Sequence, residues 1–298
     1  MSDLAHFLVI GQGDIGLAVT NKLASLGKQV TGMARGESQD YQRHHRASFI
    51  QADAKQLCAS QIASFSHIAI VVTPDEYNET AYKNTYLGIA EHIAGLADEL
   101  PNLQYLIFIS STGVYGQDNG EWIDETVSPQ IPSRGGSQYI LQAEQVLQKH
   151  FKERAVIIRP SGIYGKERLM RVRKAQQKDK PIMPQWEWTN RILDTDLVQI
   201  ITEVLLLASD DTKVCQLKPV YIATDYVPVT SYELSCWLCQ QLATQPPEPE
   251  AQENESHAHP VMSGKRLHSN IPLPWLQYPD WHVGYRHILQ SLDIKQTS

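Results

Sequence analysis

The stretch HFLVIGQGDIGLAV, residues 6–19, decides the fold of this chain. An apolar run ends at Gly11, and Gly13 and Gly16 follow before apolar residues recur with helical spacing. In a strand–turn–helix context, the first glycine of GxGxxG permits the tight turn and the second lets a pyrophosphate approach the backbone. The third lets the helix pack closely on the strand. The stretch therefore predicts a dinucleotide site at a helix N-terminus, the alternative being a glycine-rich turn without a ligand.

The alternation of apolar runs and helical patterns continues along the chain. Further strands are predicted at KQVTGMAR (28–35), SFIQAD (48–53), HIAIVVTP (67–74), QYLIFISS (104–111), RAVIIRP (154–160) and VYIAT (220–224). Helices are predicted at 14–27, 79–100, 138–151 and 232–242. Near-continuous β-branched runs are typical of parallel strands that are covered on both faces. We predict an α/β, Rossmann-type doubly wound parallel sheet.

The predicted domain organisation follows from where the alternation stops. Residues 1–165, with a returning strand near 217–225, should form the dinucleotide-binding domain. Residues 166–298 should form mostly a small C-terminal substrate-side domain. Within it, the polar, acidic and proline-rich residues 245–263 predict a flexible surface loop.

Charge and composition exclude several classes of function. The net charge of −7 disfavours nucleic-acid binding, and no apolar run approaches the roughly 18 residues of a membrane span. We expect a cytoplasmic protein with a small-molecule substrate, and a homodimer stays open. Four cysteines are too few to staple the fold, and Cys236 and Cys239 are expected on one buried helix face rather than in a disulfide. No metal site is predicted, because the paired histidines 44/45 and 257/259 lack further ligands at metal spacing.

The end of the second strand bears on which dinucleotide binds. NAD-binding proteins usually carry an Asp or Glu here to hold the ribose hydroxyls, whereas this chain has Met33, Ala34 and Arg35. Without the carboxylate, a 2′-phosphate meets no repulsion, and Arg35 can pair with it. The sequence therefore favours NADP over NAD, unless Arg35 is only a solvated loop cation.

Several stretches in the order found here resemble the extended short-chain dehydrogenase/reductase superfamily, in its NAD-dependent epimerase/dehydratase group. They are GQGDIG, FIQAD, KNTYLG, SSTGVYG, IIRPSGIYG, NRILDTDL and YPDWHVGY. The resemblance implies that Asp53 meets the adenine. Together with the motif it implies a cofactor-binding set of Gly11, Gln12, Gly13, Asp14, Ile15, Gly16, Arg35, Asp53, Ala54, Val72, Thr73, Ser110 and Pro160.

The resemblance also implies a catalytic Tyr and Lys four residues apart, and this dyad is missing. Alignment places Gly136 at the Tyr position and Ile140 at the Lys position, and shifting the register to Tyr139 leaves Ala143 in place of the Lys. No lysine occurs from residue 100 through 148. Ser111 matches the assisting Ser and is the one candidate catalytic residue, the alternative being a hydroxyl that caps the loop.

Other residues of these stretches have a weaker claim to function. Tyr115, Tyr139 and Tyr164 are conceivable substitutes for the dyad, but packed aromatic roles are expected of them. Asp194 and Asp196 are expected to be structural. The substrate pocket is expected among SSTGVYG, residues 133–138, SGIYG and the segment around Trp186 and Trp188.

Two functional hypotheses remain from the sequence. The first is an NADP-dependent oxidoreductase, or a related epimerase/dehydratase, acting on a small polar, sugar-like metabolite. The second is a non-catalytic NADP(H)-binding protein that reports redox state to a partner, for which the missing dyad is the expected feature.

Overall fold

A computed structural model describes residues 5–36, 42–251 and 261–292. The strands in these ranges are β1 (His6–Ile10), β2 (Gln29–Ala34), β3 (Ser48–Gln51), β4 (His67–Ile70), β5 (Tyr105–Ile109), β6 (Glu121–Ile123), β7 (Ala155–Pro160), β8 (Gly162–Tyr164), β9 (Glu187–Thr189), β10 (Arg191–Leu193), β11 (Val220–Ala223), β12 (Val229–Thr230) and β13 (Ser263–Leu267). The helices are α1 (Asp14–Ser25), α2 (Ala59–Ile62), α3 (Glu79–Tyr82), α4 (Gly88–Gly95), α5 (Gly135–Phe151), α6 (Met170–Gln176), α7 (Asp194–Ala208), α8 (Ser231–Gln241) and α9 (Trp281–Ser291). None of these helices has the length and apolar character needed to cross a membrane.

Seven strands form one sheet in the order β11-β7-β5-β4-β1-β2-β3. The pairs from β3 through β7 are parallel. Strands β1, β4, β5 and β7 are buried over most of their length, which is why they read as continuous apolar runs. The strand order reverses between β1 and β4, as in a doubly wound sheet, so the predicted Rossmann-type fold is confirmed.

The chain divides into two compact units. The first comprises residues 1–115, 131–160 and 197–221, and the second comprises 116–130, 161–196 and 222–298. This division is finer than the predicted boundary at residue 165, because the chain contributes more than one segment to each unit. The second unit contains a four-stranded sheet of order β12-β9-β13-β6 and the parallel pair β10-β8.

Three local features differ from the sequence-based expectation. The predicted helix 79–100 is α3, a π-helical turn at Lys83–Leu87 and then α4. Helix α5 begins at Gly135, three residues before the predicted start, since the glycines there give room to side chains of α3. The predicted loop 245–263 is held near its start, where Met183 N–H donates to the Glu248 carbonyl. Its residues 252–260 lie outside the described residues.

The CxxC pair lies on α8 as predicted. Cys239 is buried in a hydrophobic cluster of the second unit, while Cys236 is half-buried, and both thiols are free. Cys239 is therefore buried as predicted, whereas Cys236 is buried only in part.

A buried polar cluster distinguishes the second unit. The rings of Tyr164 and Tyr285 stack 4.2 Å apart, and Asp225 is 2% exposed. Asp225 Oδ1 accepts the Val227 N–H at 3.2 Å. Burial raises the pKa of the Asp225 carboxyl well above its ordinary value, although that N–H and Arg191 oppose the change. The folded protein therefore holds a proton here that the unfolded chain releases.

We expect Asp225→Asn to stabilise the protein at neutral pH. The native pKa is raised, so the wild type loses stability as pH rises above the ordinary carboxyl pKa of about 4, and the amide does not. Thermal unfolding should show equal melting temperatures near pH 4 and a gain for the variant of about 2–6 °C at pH 7. A lower melting temperature for the variant at pH 7 would contradict a neutral buried carboxyl.

Candidate functional site

The three motif glycines have three different surroundings. Gly11 adopts φ +95°, and a Cβ on it would stand 2.0 Å from the Val71 carbonyl oxygen. A Cβ on Gly16 would stand 1.9 Å from the Gly11 carbonyl oxygen. At Gly13 nothing lies within 4 Å of a Cβ position. Gly11 therefore makes the turn, Gly16 lets α1 pack against it, and only Gly13 faces open space.

Gln12, between the first two glycines, turns its side chain inward. Its Nε2 donates to the Val9 carbonyl and to Thr20 Oγ1, both at 3.0 Å. A Cβ on Gly32 of β2 would collide with this side chain at 2.4–2.9 Å. The predicted cofactor-binding role of Gln12 is therefore left to its backbone, because its side chain holds the turn together.

The start of α1 has no side-chain cap. Gly13 is the N-cap and supplies no side-chain acceptor, so the first N–H groups of this 12-residue helix keep no side-chain partner at the cap. Asp14 is exposed in the first turn, and Ile15 is buried beneath it. An uncapped helix N-terminus beside open space at Gly13 fits the pyrophosphate of a dinucleotide.

The positions predicted to hold the adenosine lie at the ends of β2 and β3. Asp53 Oδ1 accepts the Lys55 N–H at 2.9 Å, so this half-exposed carboxylate shapes the turn that carries Ala54. Arg35 Nη2 donates to both carboxylate oxygens of Asp75 at 2.7 and 2.8 Å. These side chains are 61% and 69% exposed, so the pair contributes little to stability. The Arg35 guanidinium is thus paired with the Asp75 carboxylate, but the pair is exposed to solvent.

Further predicted cofactor residues lie at or after the ends of the strands β4 and β7. Val71 extends β4 by donating its N–H to the Ile10 carbonyl at 2.7 Å, which brings Val72 and Thr73 past the end of β1. The Val72 Cγ1 lies 3.3 Å from the Cβ position of Gly11. Pro160 is buried at the end of β7. Val72 therefore borders the glycine turn, as the resemblance implies.

A buried charge cluster lies behind the strand ends, and no sequence pattern predicted it. Glu144 of α5 and Arg159 of β7 are 1% and 5% exposed. Arg159 Nε and Nη2 donate to the two Glu144 oxygens at 3.0 and 2.6 Å, and Nη1 donates to the Tyr115 hydroxyl at 2.7 Å. Ser110 also donates its hydroxyl to Glu144. The pattern AEQVL…IIRP carries this pair, but neither spacing nor composition marks it as buried.

This cluster engages two residues singled out from the sequence, and Tyr115 has the packed aromatic role that was expected of it. The Ser110 side chain is committed to Glu144, so only its backbone remains for a cofactor. Tyr115 is buried beneath the Arg159 guanidinium, which lies 4.8 Å from its ring centroid, and it is no substitute for the catalytic Tyr. Removing one member of such a pair costs about 3–5 kcal/mol, because the other is left as a buried charge. The pair thus fixes the strand end that carries Ser111.

Ser111 begins a 3₁₀ turn, Thr112–Val114, directly after β5. Its Oγ accepts the Gly113 N–H at 3.0 Å. This contact caps the loop, which was the expected alternative to a catalytic role for Ser111. The hydroxyl proton remains available, because the Oγ acts as acceptor in that bond. Ser137 Oγ and Ser111 Oγ lie 3.0 and 3.2 Å from the Cβ position of Gly113. The structure therefore places the hydroxyls of Ser111 and Ser137 beside the same glycine, Gly113.

The position aligned with the family tyrosine is filled from another element. A Cβ on Gly136, in the first turn of α5, would stand 2.9 Å from Cγ and Cδ1 of the Tyr82 ring. Ile140, at the Lys position, is buried at 2% exposure. An ammonium group could not replace Ile140 there without a large desolvation cost.

Tyr164 and the acidic pair of Asp194 and Asp196 make structural contacts. Tyr164, stacked on Tyr285, has its pKa raised by burial and by the nearby Asp225, so it is a poor base. Asp196 accepts the backbone N–H groups of Gln277 and Tyr278, both at 2.9 Å. Asp194 accepts the Thr195 N–H at 2.7 Å. No group of three metal-ligating side chains occurs in the part of the chain that the structure describes.

Comparison with known proteins agrees with this geometry. The model of the NAD dependent epimerase/dehydratase family matches residues 7–193. The chain belongs to this family. It is thus an NAD-binding protein of the short-chain dehydrogenase/reductase type, as the resemblance in the sequence implied. No curated protein matches the sequence.

Solved structures extend the likeness over nearly the whole chain. A Methylobacillus flagellatus protein, provisionally named an NAD-dependent epimerase/dehydratase, is 27% identical with a TM-score of 0.75, covering 97% of this chain and 99% of its own. A Silicibacter pomeroyi protein of unknown function is 20% identical with a TM-score of 0.68, covering 98% and 100%. A UDP-glucuronic acid 4-epimerase from Bacillus cereus, in complex with NAD, is 17% identical with a TM-score of 0.67, covering 82% and 86%.

Gly13→Val should abolish dinucleotide binding without unfolding the protein. Space around Gly13 accepts a side chain, and that side chain then stands where the pyrophosphate must approach. Isothermal titration calorimetry with NAD⁺ and NADP⁺ should show no binding, at an unchanged melting temperature.

Gly95→Val is the matched control, because Gly95 also has nothing within 4 Å of its Cβ position and lies in α4, outside the glycine turn. It should bind as the wild type does. Wild-type affinity in Gly13→Val would place the dinucleotide elsewhere.

Proposed function

We propose that this protein is an NADP-dependent oxidoreductase, or a related epimerase/dehydratase, acting on a small polar, sugar-like metabolite. The observation that carries the proposal is the pairing of an open, uncapped helix start at Gly13 with hydroxyls at the end of β5. Parallel strands present their carboxyl ends at one edge of a sheet, which is where ligands of this fold bind. Ser111 and Ser137 lie at that edge.

The bound dinucleotide would supply hydride chemistry, and this chain supplies binding and orientation. Backbone N–H groups at the start of α1 hold the pyrophosphate. Ser111, whose proton is available, donates a hydrogen bond to a substrate oxygen, and Ser137 offers a second one. Hydroxyl pairs of this kind suit a carbonyl or alcohol carbon flanked by oxygens, as in a sugar.

The preference for NADP rests on Arg35. No carboxylate follows β2 at positions 33–35, and the Arg35 guanidinium already binds an anionic group, the Asp75 carboxylate. Strand β1 lies between β2 and β4, so this pair spans the carboxyl end of β1. A 2′-phosphate offers a doubly charged partner for the same fork, and Arg35 is exposed enough to exchange partners at little cost.

Arg35→Ala should weaken NADP⁺ binding by about 10-fold and leave NAD⁺ binding within twofold, since only the former carries the 2′-phosphate. Asp75→Asn should act in the opposite direction, because it frees Arg35 and removes a negative charge. Calorimetric dissociation constants for both cofactors measure the effect. Equal NADP⁺ affinity in the wild type and Arg35→Ala would remove Arg35 from the site.

A non-catalytic redox sensor is the second candidate, and the missing dyad favours it. Gly136 and Ile140 replace the two residues that move protons in the family pattern. A screen of sugar aldehydes, ketones and nucleotide sugars for oxidation of NADPH separates the two candidates. Turnover supports the enzyme, whereas tight NADPH binding without turnover of any compound supports the sensor.

Ser111→Ala should reduce kcat/KM more than Tyr139→Phe on a substrate from that screen. Loss of one hydrogen bond to the reacting oxygen costs on the order of 1–3 kcal/mol, or about 5- to 150-fold in rate. Tyr139 has no lysine partner, and its replacement should cost less than about tenfold. A thousandfold loss in Tyr139→Phe with Ser111→Ala unaffected would contradict the assignment and indicate a different helix register.

A further inference from the structure

Tyr82 occupies the place from which the family's catalytic tyrosine would extend. The first turn of α5 has Gly135 and Gly136 side by side. A Cβ on Gly136 would stand 2.9, 2.9 and 3.2 Å from Cγ, Cδ1 and Cδ2 of Tyr82. These atoms are the rigid base of the ring, so a side chain at 136 and the present position of Tyr82 exclude each other.

Gly135 and Gly136 are the first two residues of α5, and each leaves space that a side chain would otherwise fill. The three atoms nearest a Cβ on Gly135 all belong to Glu79, the closest at 1.8 Å, and this side chain is exposed and flexible. Of the two glycines, Gly136 is therefore the one that leaves room for a rigid group, the Tyr82 ring.

Two features fix Tyr82 in place. Its ring lies 5.6 Å from that of Tyr86, which in turn meets Phe108 of β5 edge-on at 6.3 Å. Tyr82 also ends α3, and the π-helical turn Lys83–Leu87 begins immediately after it. Single π-helical turns are rare and occur frequently at functional sites.

Hydroxyl groups surround the same helix start. Ser137 follows Gly136 directly, and its Oγ lies beside Gly113 together with Ser111 Oγ. One turn of α5 therefore contacts Tyr82 through Gly136 and reaches the Ser111 loop through Ser137. The Tyr82 ring and the loop that carries Ser111 therefore border the same turn of α5.

We propose that Tyr82, supplied by α3, is the proton donor of this protein in place of the absent family tyrosine. This inference rests on the proposed oxidoreductase function. In the reduction of a carbonyl, the two electrons arrive as hydride from the reduced dinucleotide at the carbonyl carbon. The Tyr82 O–H bond breaks, its proton forms the new O–H bond on the substrate oxygen, and solvent reprotonates the phenolate.

The groups around Tyr82 keep its phenol protonated, although they make it a weaker acid than a free tyrosine. Burial raises the pKa of the Tyr82 phenol, Tyr77 adds to the increase, and the Arg134 guanidinium at the N-cap of α5 opposes it. Glu79 and Tyr86 are the other titratable groups at this contact. The net direction is upward, so the phenol keeps its proton at neutral pH.

The test labels the full-length protein with 3-fluorotyrosine and follows Tyr82 by ¹⁹F NMR. Loss of one resonance in Tyr82→Phe assigns the signal among the 13 tyrosines. The oxidised nicotinamide ring is cationic and the reduced ring is not. Saturating NADP⁺ should therefore lower the pKa of the Tyr82 phenol by about 1, and NADPH should leave it within a few tenths.

Matched variants make the result specific. Gly136→Ala should move the Tyr82 resonance by displacing its ring, whereas Gly135→Ala, with the same added methyl group, should leave it in place. Tyr77→Phe should preserve the response of Tyr82 to NADP⁺. Tyr82 also lacks a lysine partner, so on a substrate from the screen Tyr82→Phe should lower kcat by about tenfold or more, against less than about tenfold for Tyr139→Phe, with unchanged cofactor affinity.

The outcomes separate this inference from the function on which it rests. If calorimetry shows NADP⁺ binding while the Tyr82 resonance and its pKa ignore both forms of the cofactor, Tyr82 is not the donor and the proposed function stands. A Tyr82→Phe enzyme with wild-type kcat has the same meaning. If the wild type binds neither NAD(H) nor NADP(H), the proposed function itself is wrong, and the role of Tyr82 falls with it.

Discussion

The close approach of α1 to β1 is the constraint on which the first unit depends. The Gly11 carbonyl oxygen lies 1.9 Å from the place where a side chain on Gly16 would begin, and the Val71 carbonyl oxygen lies 2.0 Å from the same place on Gly11, so neither position accepts another residue. That contact sets the helix start directly above the end of β1. The Gln12 side chain stabilises this turn, because its amide donates to the Val9 carbonyl and to the Thr20 hydroxyl. The open face at Gly13 is what this packing leaves for a ligand.

A second interaction orders the loop that follows β5. The buried pair of Glu144 and Arg159 ties α5 to β7, and through Ser110 and Tyr115 it ties both to the loop after β5. Each charge is paired with the other and forms a hydrogen bond with a hydroxyl, and this permits burial at 1% and 5% exposure. The helix start with Gly136 and the loop with Ser111 are therefore held by the same cluster.

Sequence patterns predicted most of the sheet but less of the site. Parallel strands β1, β4, β5 and β7 were recognisable because both faces are buried and their residues are almost all apolar. The roles of Gln12 and Ser110 were not, since either side chain can face a ligand or the protein interior from the same position. The early start of α5 was also missed, because two glycines are poor helix formers and only their contacts with Glu79 and Tyr82 account for them.

The sequence by itself determined the doubly wound fold, the glycine turn and the absence of a YxxxK motif, because these depend on residue type and spacing along the chain. Tertiary structure alone decided which tyrosine lies at Gly136, since Tyr82 and Gly136 are far apart in sequence and meet only when α3 packs on α5. It also decided that Arg35 pairs with Asp75, across the end of β1. Contacts between side chains of different elements leave no periodic signal, so a single sequence cannot reveal them.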